Sequence, residues 1–452
     1  MKPCDVQQLC AAVGGTLLQG SGAVVTQVST DSRAIPAGAL FVPLTGERFD
    51  GHDYLDAALA AGAAGCLTSR TPAALMADKF YIRVDDTLAA LKTLALWYRQ
   101  QFDIPMVQVT GSAGKTTTKE MIASVLSQRL ATLKTEANFN NAIGTPLTLL
   151  HLSDGHQAAV IETGMNHFGE IRYLGEMVLP TAAVITNVGD AHIENLGGTR
   201  QGILQAKCEI FEHLQPGGLA VLNGDDELLR PLDLPFDTVL CGLHPDCGVR
   251  VSDVAEHGVE GVTCRVTTAR DAYDVSIPSP GAYMIYPAAM AIAIGEHLGL
   301  TREEILRGIA AYRPVGSRMR LLRLSAQRMV IDDCYNANPQ AMAEALRILA
   351  QTAAPRRMAV LGDMGELGEL TERAHRDVGQ LTRALALDTV VAIGEKARDI
   401  QAADPRALWF PSVEAAIPTV RAAFTPGTAV LVKASHAMHF TDIVTALEST
   451  EQ

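Results

Sequence analysis

The stretch Val107-Gln-Val-Thr-Gly-Ser-Ala-Gly-Lys-Thr-Thr-Thr118 opens as a short β-branched strand, turns through two glycines, and places Lys115 and Thr116 where a helix should begin. Residues 120–126, Glu-Met-Ile-Ala-Ser-Val-Leu, continue that helix with an amphipathic pattern. Strand, glycine loop and helix in this order form a phosphate cradle, although the spacing from Gly111 to Gly114 is tighter than in the commoner G-x-x-x-x-G-K-[ST] loop. Backbone N–H groups from Gly111, Ser112, Ala113 and Gly114 on to Lys115, Thr116 and Thr117 would hold phosphate oxygens at the positive end of the helix. Lys115 adds a point charge, and the Thr116 hydroxyl can ligate Mg²⁺. The pattern predicts use of a nucleoside triphosphate.

Outward from the loop, the chain has the organisation such a site needs. At 452 residues it exceeds one ordinary core, and roughly 150 residues per domain predicts about three. Residues 1–83 alternate short apolar strands, as in Gly38-Ala-Leu-Phe-Val-Pro-Leu44, with alanine-rich helical stretches such as 53–62, and read as a small N-terminal α/β domain. Residues 84–313 read as a central ATP-binding domain whose apolar runs at 106–109, 158–161 and 182–186 are buried parallel strands. Polar alternation over 248–277 predicts an antiparallel side sheet on it. Pro314-Val-Gly-Ser-Arg318 is a linker, after which 329–332, 358–361, 389–393 and 429–433 predict a Rossmann-like C-terminal α/β domain over 314–452, again with a parallel sheet.

Composition excludes other classes. Fifty acidic residues against 37 Lys and Arg give a net charge of −13, the wrong sign for nucleic-acid binding. No run approaches the roughly 20 apolar residues of a membrane span, and the N-terminus lacks a charged-then-apolar leader, so a cytoplasmic protein is expected. The eight cysteines are scattered, with neither CxxC spacing nor a paired-histidine motif, and are expected as reduced thiols, mostly in cores.

Other candidate site residues lie at predicted strand ends. Ala158-Ala-Val-Ile-Glu162 delivers a carboxylate where a second Mg²⁺-directed acid is often needed beside the loop hydroxyl, with a solvated strand end or a helix cap as the alternatives. His192, in Thr186-Asn-Val-Gly-Asp-Ala-His192, follows the same logic one strand on. Helical period alone reads Lys207 as a lysine with its head in water. Asn138, Asn140 and Asn141, beside a Gly-x-Pro turn, suit sugar or phosphate contacts and turn chemistry equally.

Together these motifs resemble the Mur ligase family of ATP-dependent amide-forming enzymes, over essentially the whole chain. The resemblance implies that Thr116, Glu162, His192 and Lys207 hold Mg²⁺, with Lys207 carbamylated by CO₂. It implies further that Arg318 and Asp333 contact nucleotide phosphate and ribose. Within the family, Thr30-Asp31-Ser32-Arg33, the segment 44–52 with Thr45 and Gly46, Asn138-Phe-Asn-Asn141, Asp333-Cys-Tyr-Asn-Ala-Asn-Pro339 and the segment 362–368 resemble the member that joins D-alanyl-D-alanine to UDP-N-acetylmuramoyl-tripeptide. The Tyr-Ala-His-Thr-Pro and Asp-Asn-Pro-Arg motifs of the ligase that adds the third peptide residue are absent. On this resemblance, residues 30–33, 45–46 and the asparagines 138, 140 and 141 bind the UDP substrate. Asn336, Asn338, Lys433 and Ser435 approach the reacting atoms, and the enzyme is a monomer.

Three departures stand out. The family's Gly-x-His-Asn-x-x-Asn pattern, whose asparagine reads adenine, appears here as Gly281-Ala-Tyr-Met-Ile-Tyr-Pro287. One residue is inserted in Gly197-Gly-Thr-Arg200, and the usual Lys-Gly-Ser-Arg is Lys433-Ala-Ser-His436. Two other readings stay open on sequence: another Mur-type amino-acid ligase, and a non-catalytic nucleotide-binding paralogue.

Overall fold

The computed structural model describes every residue except 21, 47–48, 73, 366 and 450–452. Glu47 and Arg48 of the 44–52 motif and Glu366 of the 362–368 motif therefore lie outside the described residues. The chain forms two compact units, Met1–Leu240 with Ala293–Leu300, and Cys241–Ile292 with Thr301–Gln452. Each is an α/β structure.

The first unit holds a two-stranded antiparallel pair, Cys4–Asp5 with Val24–Val25, and two larger sheets. The N-terminal one has the order Thr16–Gln19, Phe80–Arg83, Gly65–Thr68, Leu40–Phe41, Val28–Ser29, with only its first pair antiparallel. The strand expected over 38–44 is confined to Leu40–Phe41, since Pro43 has no N–H to continue a ladder. The helix expected over 53–62 is Leu55–Ala60, entered through a 3₁₀ turn, Gly51–Tyr54, that Asp50 caps. Leu40, Leu67 and Ile82 pack with Leu94 and Tyr98 of helix Thr87–Arg99, and that core continues into Met106 and Ile161.

The larger parallel sheet orders Leu219–Asn223, Ala182–Ile185, Met106–Thr110, Ala158–Glu162 and Thr132–Lys134. Its inner strands are largely apolar and buried throughout, as strands covered on both faces require, while the edge strand Thr132–Lys134 is half-buried. Parallel register brings every carboxyl end to one edge. Thr110, Glu162, Thr186 and Asn187 all emerge there, the edge at which open α/β sheets bind ligands.

In the second unit, Val249–Glu256, Val262–Thr267 and Ala272–Ile277 form the expected antiparallel meander, its middle strand alternating buried with more exposed positions. The C-terminal sheet orders Arg320–Arg323, Met329–Asp332, Thr428–Lys433, Arg356–Gly362, Thr389–Ile393 and Leu408–Phe410. It is parallel except at its edge, where Arg320–Arg323 pairs antiparallel with Met329–Asp332 and corrects the all-parallel expectation. The hairpin turns through Ala326 and Gln327 at φ 53° and 56°. Glycine or asparagine usually marks such a turn, and neither is present to announce it. The described cysteines are all free and six of the eight are buried. No described helix is long and apolar enough to cross a membrane.

Candidate active site

Helix Lys115–Leu126 begins directly after Gly114, whose φ of 78° lies in the left-handed region that glycine enters freely. Gly111 is constrained by space: a Cβ there would sit 1.8 Å from Thr186 Oγ1. The loop is fastened to the neighbouring strand. Ser112 N donates to Asn187 O at 3.1 Å, Ala113 N to Asn187 Oδ1 at 2.9 Å, and Thr186 Oγ1 to Ala113 O at 2.6 Å. The amides of Ser112 and Ala113 are thus given to Asn187. Gly114 brings no side-chain cap to this helix, and first-turn amides such as those of Thr116 and Thr117 are the donors a helix turns toward an anion. Lys115 Nζ donates to Gly111 O at 2.8 Å, which holds its ammonium against the loop.

Glu162 closes strand Ala158–Glu162 and is 2% exposed, which overturns the solvated strand end as an alternative. Its N–H donates to Thr135 Oγ1 at 2.9 Å, and Oε1 accepts from Asn140 Nδ2 at 2.9 Å. Oε2 is buried without a hydrogen-bond partner. A buried carboxylate oxygen left unpaired is costly, and a hard cation is the partner that oxygen donors such as Glu162 and the buried Thr116 suit. Among the described residues no three His, Cys, Asp or Glu side chains cluster as a metal site. Further ligands would have to come from hydroxyl, imidazole or a modified amine.

His192 is half-buried with φ 63°, directly before the 3₁₀ turn Ile193–Leu196. Lys207, on helix Arg200–Cys208, is 2% exposed. The water-facing lysine read from helical period is therefore corrected: the helix buries that side at the sheet's carboxyl edge, and period cannot say what covers a face. Burial, then the nearby Lys115 charge, pushes the Lys207 amine well below its ordinary pKa. The inserted residue is absorbed by Gly197 and Gly198, at φ 76° and 69°, after which Thr199 caps the helix through Gly202 N at 3.1 Å.

The asparagines divide their work. Asn140 holds Glu162, exposed Asn141 caps helix Gly144–Leu149 by accepting from Gly144 N at 2.9 Å, and Asn138 is exposed. In the N-terminal sheet's loops, Arg33 Nε and Nη2 form a two-point pair with Asp31 at 2.9 Å each, which holds that carboxyl down at about 2. Thr30 and Ser32 are half-buried beside it. Thr45 and Gly46 lie in a tight turn, with Thr45 bridged to Asp50 and Gly46 N donating to Phe49 O at 2.9 Å.

The remaining candidates belong to the second unit. Lys433 Nζ, buried at the end of its strand, reaches Asp333 Oδ2 at 2.5 Å and Asn336 O at 3.0 Å. Burial raises the Asp333 carboxyl above its usual range, against the pull of Lys433. The Arg318 guanidinium lies 3.8 Å over the Tyr335 ring, which also neighbours His436. Asn338 caps helix Pro339–Gln351 through Ala341 N at 2.8 Å, and Ser435 Oγ accepts from Gly365 N at 2.9 Å. Pro287 falls in the first turn of helix Ile285–His297, where its missing N–H costs nothing. Tyr283 is kept neutral by burial, reinforced by Asp333 and Glu344.

Sequence reading overlooked Thr186 and Asn187 as holders of the loop, and Thr135 and Lys119 near Glu162. The polar pair directly after an apolar strand was the available signal for the first two.

Residues 24–99 match the model of the Mur ligase family catalytic domain, 109–295 that of the Mur ligase middle domain, and 317–436 that of the Mur ligase glutamate ligase domain. The chain is 35% identical over 460 residues to UDP-N-acetylmuramoyl-tripeptide–D-alanyl-D-alanine ligase of Escherichia coli strain K12, with 98% of each chain covered. Its fold matches a crystal structure of MurF from Acinetobacter baumannii with a TM-score of 0.91 at 31% identity, covering 99% of both chains. It matches MurF ligase from Thermotoga maritima in complex with ADP at 0.82 and 28%, covering 94% of this chain and 97% of that one.

Proposed function

The chain belongs to the Mur ligase family, and from that premise we propose that it joins D-alanyl-D-alanine to UDP-N-acetylmuramoyl-tripeptide with consumption of ATP. One observation supports the reading: the Lys115 loop and the half-satisfied Glu162 follow adjacent parallel strands, and the buried Lys207 is near enough to Lys115 to feel its charge. Domains over 1–83, 84–313 and 314–452 would bind the UDP moiety, the triphosphate, and the nucleotide with the incoming dipeptide. Both substrates are nucleotide-pool or amino-acid metabolites, which places the reaction in the cytoplasm.

The chemistry is an acyl transfer in two steps. The tripeptide's terminal carboxylate attacks the γ-phosphorus and ADP leaves. The neutral amine of D-alanyl-D-alanine then adds to the acyl phosphate, and phosphate departs from the tetrahedral centre with loss of a proton. Both steps bring anions together, so charge stabilisation dominates. Lys115 and the first-turn amides neutralise the β- and γ-oxygens. Asn140 aims Glu162, while Thr30, Asp31, Ser32, Arg33, Thr45, Gly46, Asn138 and Asn141 supply the UDP-substrate contacts. Arg318 and Asp333 address phosphate and ribose, and Lys433 aligns Asp333 and Asn336. Thr116 and Glu162, and His192 with Lys207, would hold Mg²⁺, which would supply positive charge at the transferred phosphoryl group.

Lys207 fits that role once carbamylated. Its amine, which burial and the Lys115 charge make easier to deprotonate, adds in its neutral form to CO₂ and releases one proton, which leaves an anionic oxygen donor toward the metal. This answers the shortage of acidic ligands beside Glu162.

Phosphate release from Mg-ATP and UDP-N-acetylmuramoyl-tripeptide, measured with and without D-alanyl-D-alanine, tests the reading. Release that depends on the dipeptide, with a product heavier than the tripeptide substrate by one dipeptide less water, is expected. Nucleotide binding without release under any of these conditions would overturn it.

A further inference from the structure

Lys119 is 1% exposed, on the same helix and three residues beyond Thr116, hence close to its face. Its ammonium reaches Thr135 O at 2.5 Å and Glu120 Oε1 at 2.7 Å, while Lys134 takes Glu120 Oε2 at 2.6 Å. A buried cation that satisfies one carbonyl and one shared carboxylate is an expensive way to hold a helix. What it holds gives the reason. Thr135 is the residue whose hydroxyl accepts the Glu162 N–H, and a few residues later the same segment supplies Asn140, which donates to Glu162 Oε1. Both hydrogen bonds that orient Glu162 therefore come from residues 135–140. Lys119 ties the start of that segment to the helix that carries Thr116.

We propose that Lys119, acting through Thr135, is a positioning residue that fixes the separation between Thr116 and Glu162, and so sets the affinity of the site for its divalent cation. The inference rests on the reading of Thr116 and Glu162 as cation ligands. A rigid Lys119 brace keeps Glu162 Oε2 at the distance a small, geometrically demanding ion requires. Without it, segment 135–140 relaxes and the carboxylate loses its aim.

The test uses the full chain with Mn²⁺ as the probe and its bound fraction read by electron paramagnetic resonance in the presence of ADP. Lys119→Met is expected to weaken Mn²⁺ binding about tenfold or more, the range for removing a group that orients a metal ligand. The Mg²⁺ concentration for half-maximal phosphate release should rise in parallel, with the KM for UDP-tripeptide unchanged. Thr135→Val should reproduce the shift with the Lys119 ammonium retained, and Thr135→Ser should restore affinity, which also decides the matter if Lys119→Met fails to fold. Mn²⁺ affinities within twofold of wild type in folded Lys119→Met, or in Thr135→Val, would overturn the proposal. Unchanged affinity in Glu162→Gln would instead remove the cation-site reading on which it stands.

Discussion

An amine that burial holds well below its ordinary pKa is a nucleophile toward CO₂ near neutrality, and Lys207 is placed to be one. The sign of its pH dependence follows. Between the folded pKa and the usual lysine value the unfolded chain binds more protons, so stability rises with pH across that window and falls as pH drops toward the folded pKa. The same protonation removes the nucleophile. Activity should therefore fall in degassed, bicarbonate-free buffer, more steeply at lower pH, and return when bicarbonate is added. Lys207→Ala should be inactive alone and partly restored by formate or acetate, and full activity of this variant without either would end the carbamate hypothesis. Nothing in the residue's own stretch announces this, because helical period assigns a face and not the neighbour that covers it. Gly111 is the opposite case, since its place in a glycine loop was legible, although the lack of room for a side chain is visible only in the structure. Gly111→Ala would drive a methyl into Thr186 Oγ1 and break that hydroxyl's 2.6 Å bond to Ala113 O. A loss of about 1–3 kcal/mol of stability is expected by chemical denaturation, together with loss of ADP binding by calorimetry.

Elements carry the next layer, because two helices that follow parallel strands begin with opposite kinds of cap residue. Gly114 brings no side chain to the first turn of Lys115–Leu126, whereas Asn338 fills the corresponding position of Pro339–Gln351 with its own side chain. The alternation of strand and helix was legible in both regions from the apolar runs. The antiparallel edge at Arg320–Arg323 was not, because its left-handed turn is made by Ala326 and Gln327. The two roles open to Asn338 can be separated by substitution. Asn338→Ala should cost about 0.5–2 kcal/mol as a lost cap, and Asn338→Asp should keep the cap. If the amide also meets the reacting atoms, Asn338→Asp retains its melting temperature and loses turnover. Wild-type turnover in Asn338→Asp would reduce this residue to a cap.

At the scale of the whole molecule, the chain must bind two nucleotides of different kinds through different parts of its sequence. With an acidic balance of −13 each capture has to be local, and the proposed function gives the triphosphate to the loop amides and Lys115 and the UDP-linked substrate to the N-terminal loops. The phosphate loop could be read directly because its function requires a fixed spacing along the chain. The N-terminal contacts could be assigned only by resemblance, because a binding surface assembled from separate turns, such as 30–33 and 45–46, leaves no period or spacing to read. Ligand-induced stabilisation distinguishes the two sites in the intact protein. A ligand that binds only the folded state at about 100 times its Kd adds about 2.7 kcal/mol. Mg-ADP and UDP-N-acetylmuramoyl-tripeptide should each raise the melting midpoint in scanning fluorimetry. Lys115→Ala should abolish the Mg-ADP increment and phosphate release while leaving the UDP-tripeptide increment intact. Arg33→Ala should do the reverse, since it removes one side of the Asp31 pair from the N-terminal loop and leaves the phosphate cradle untouched. If Lys115→Ala kept its full Mg-ADP increment, the glycine loop would not be the phosphate site. If Arg33→Ala lost both increments, the two would not be independent.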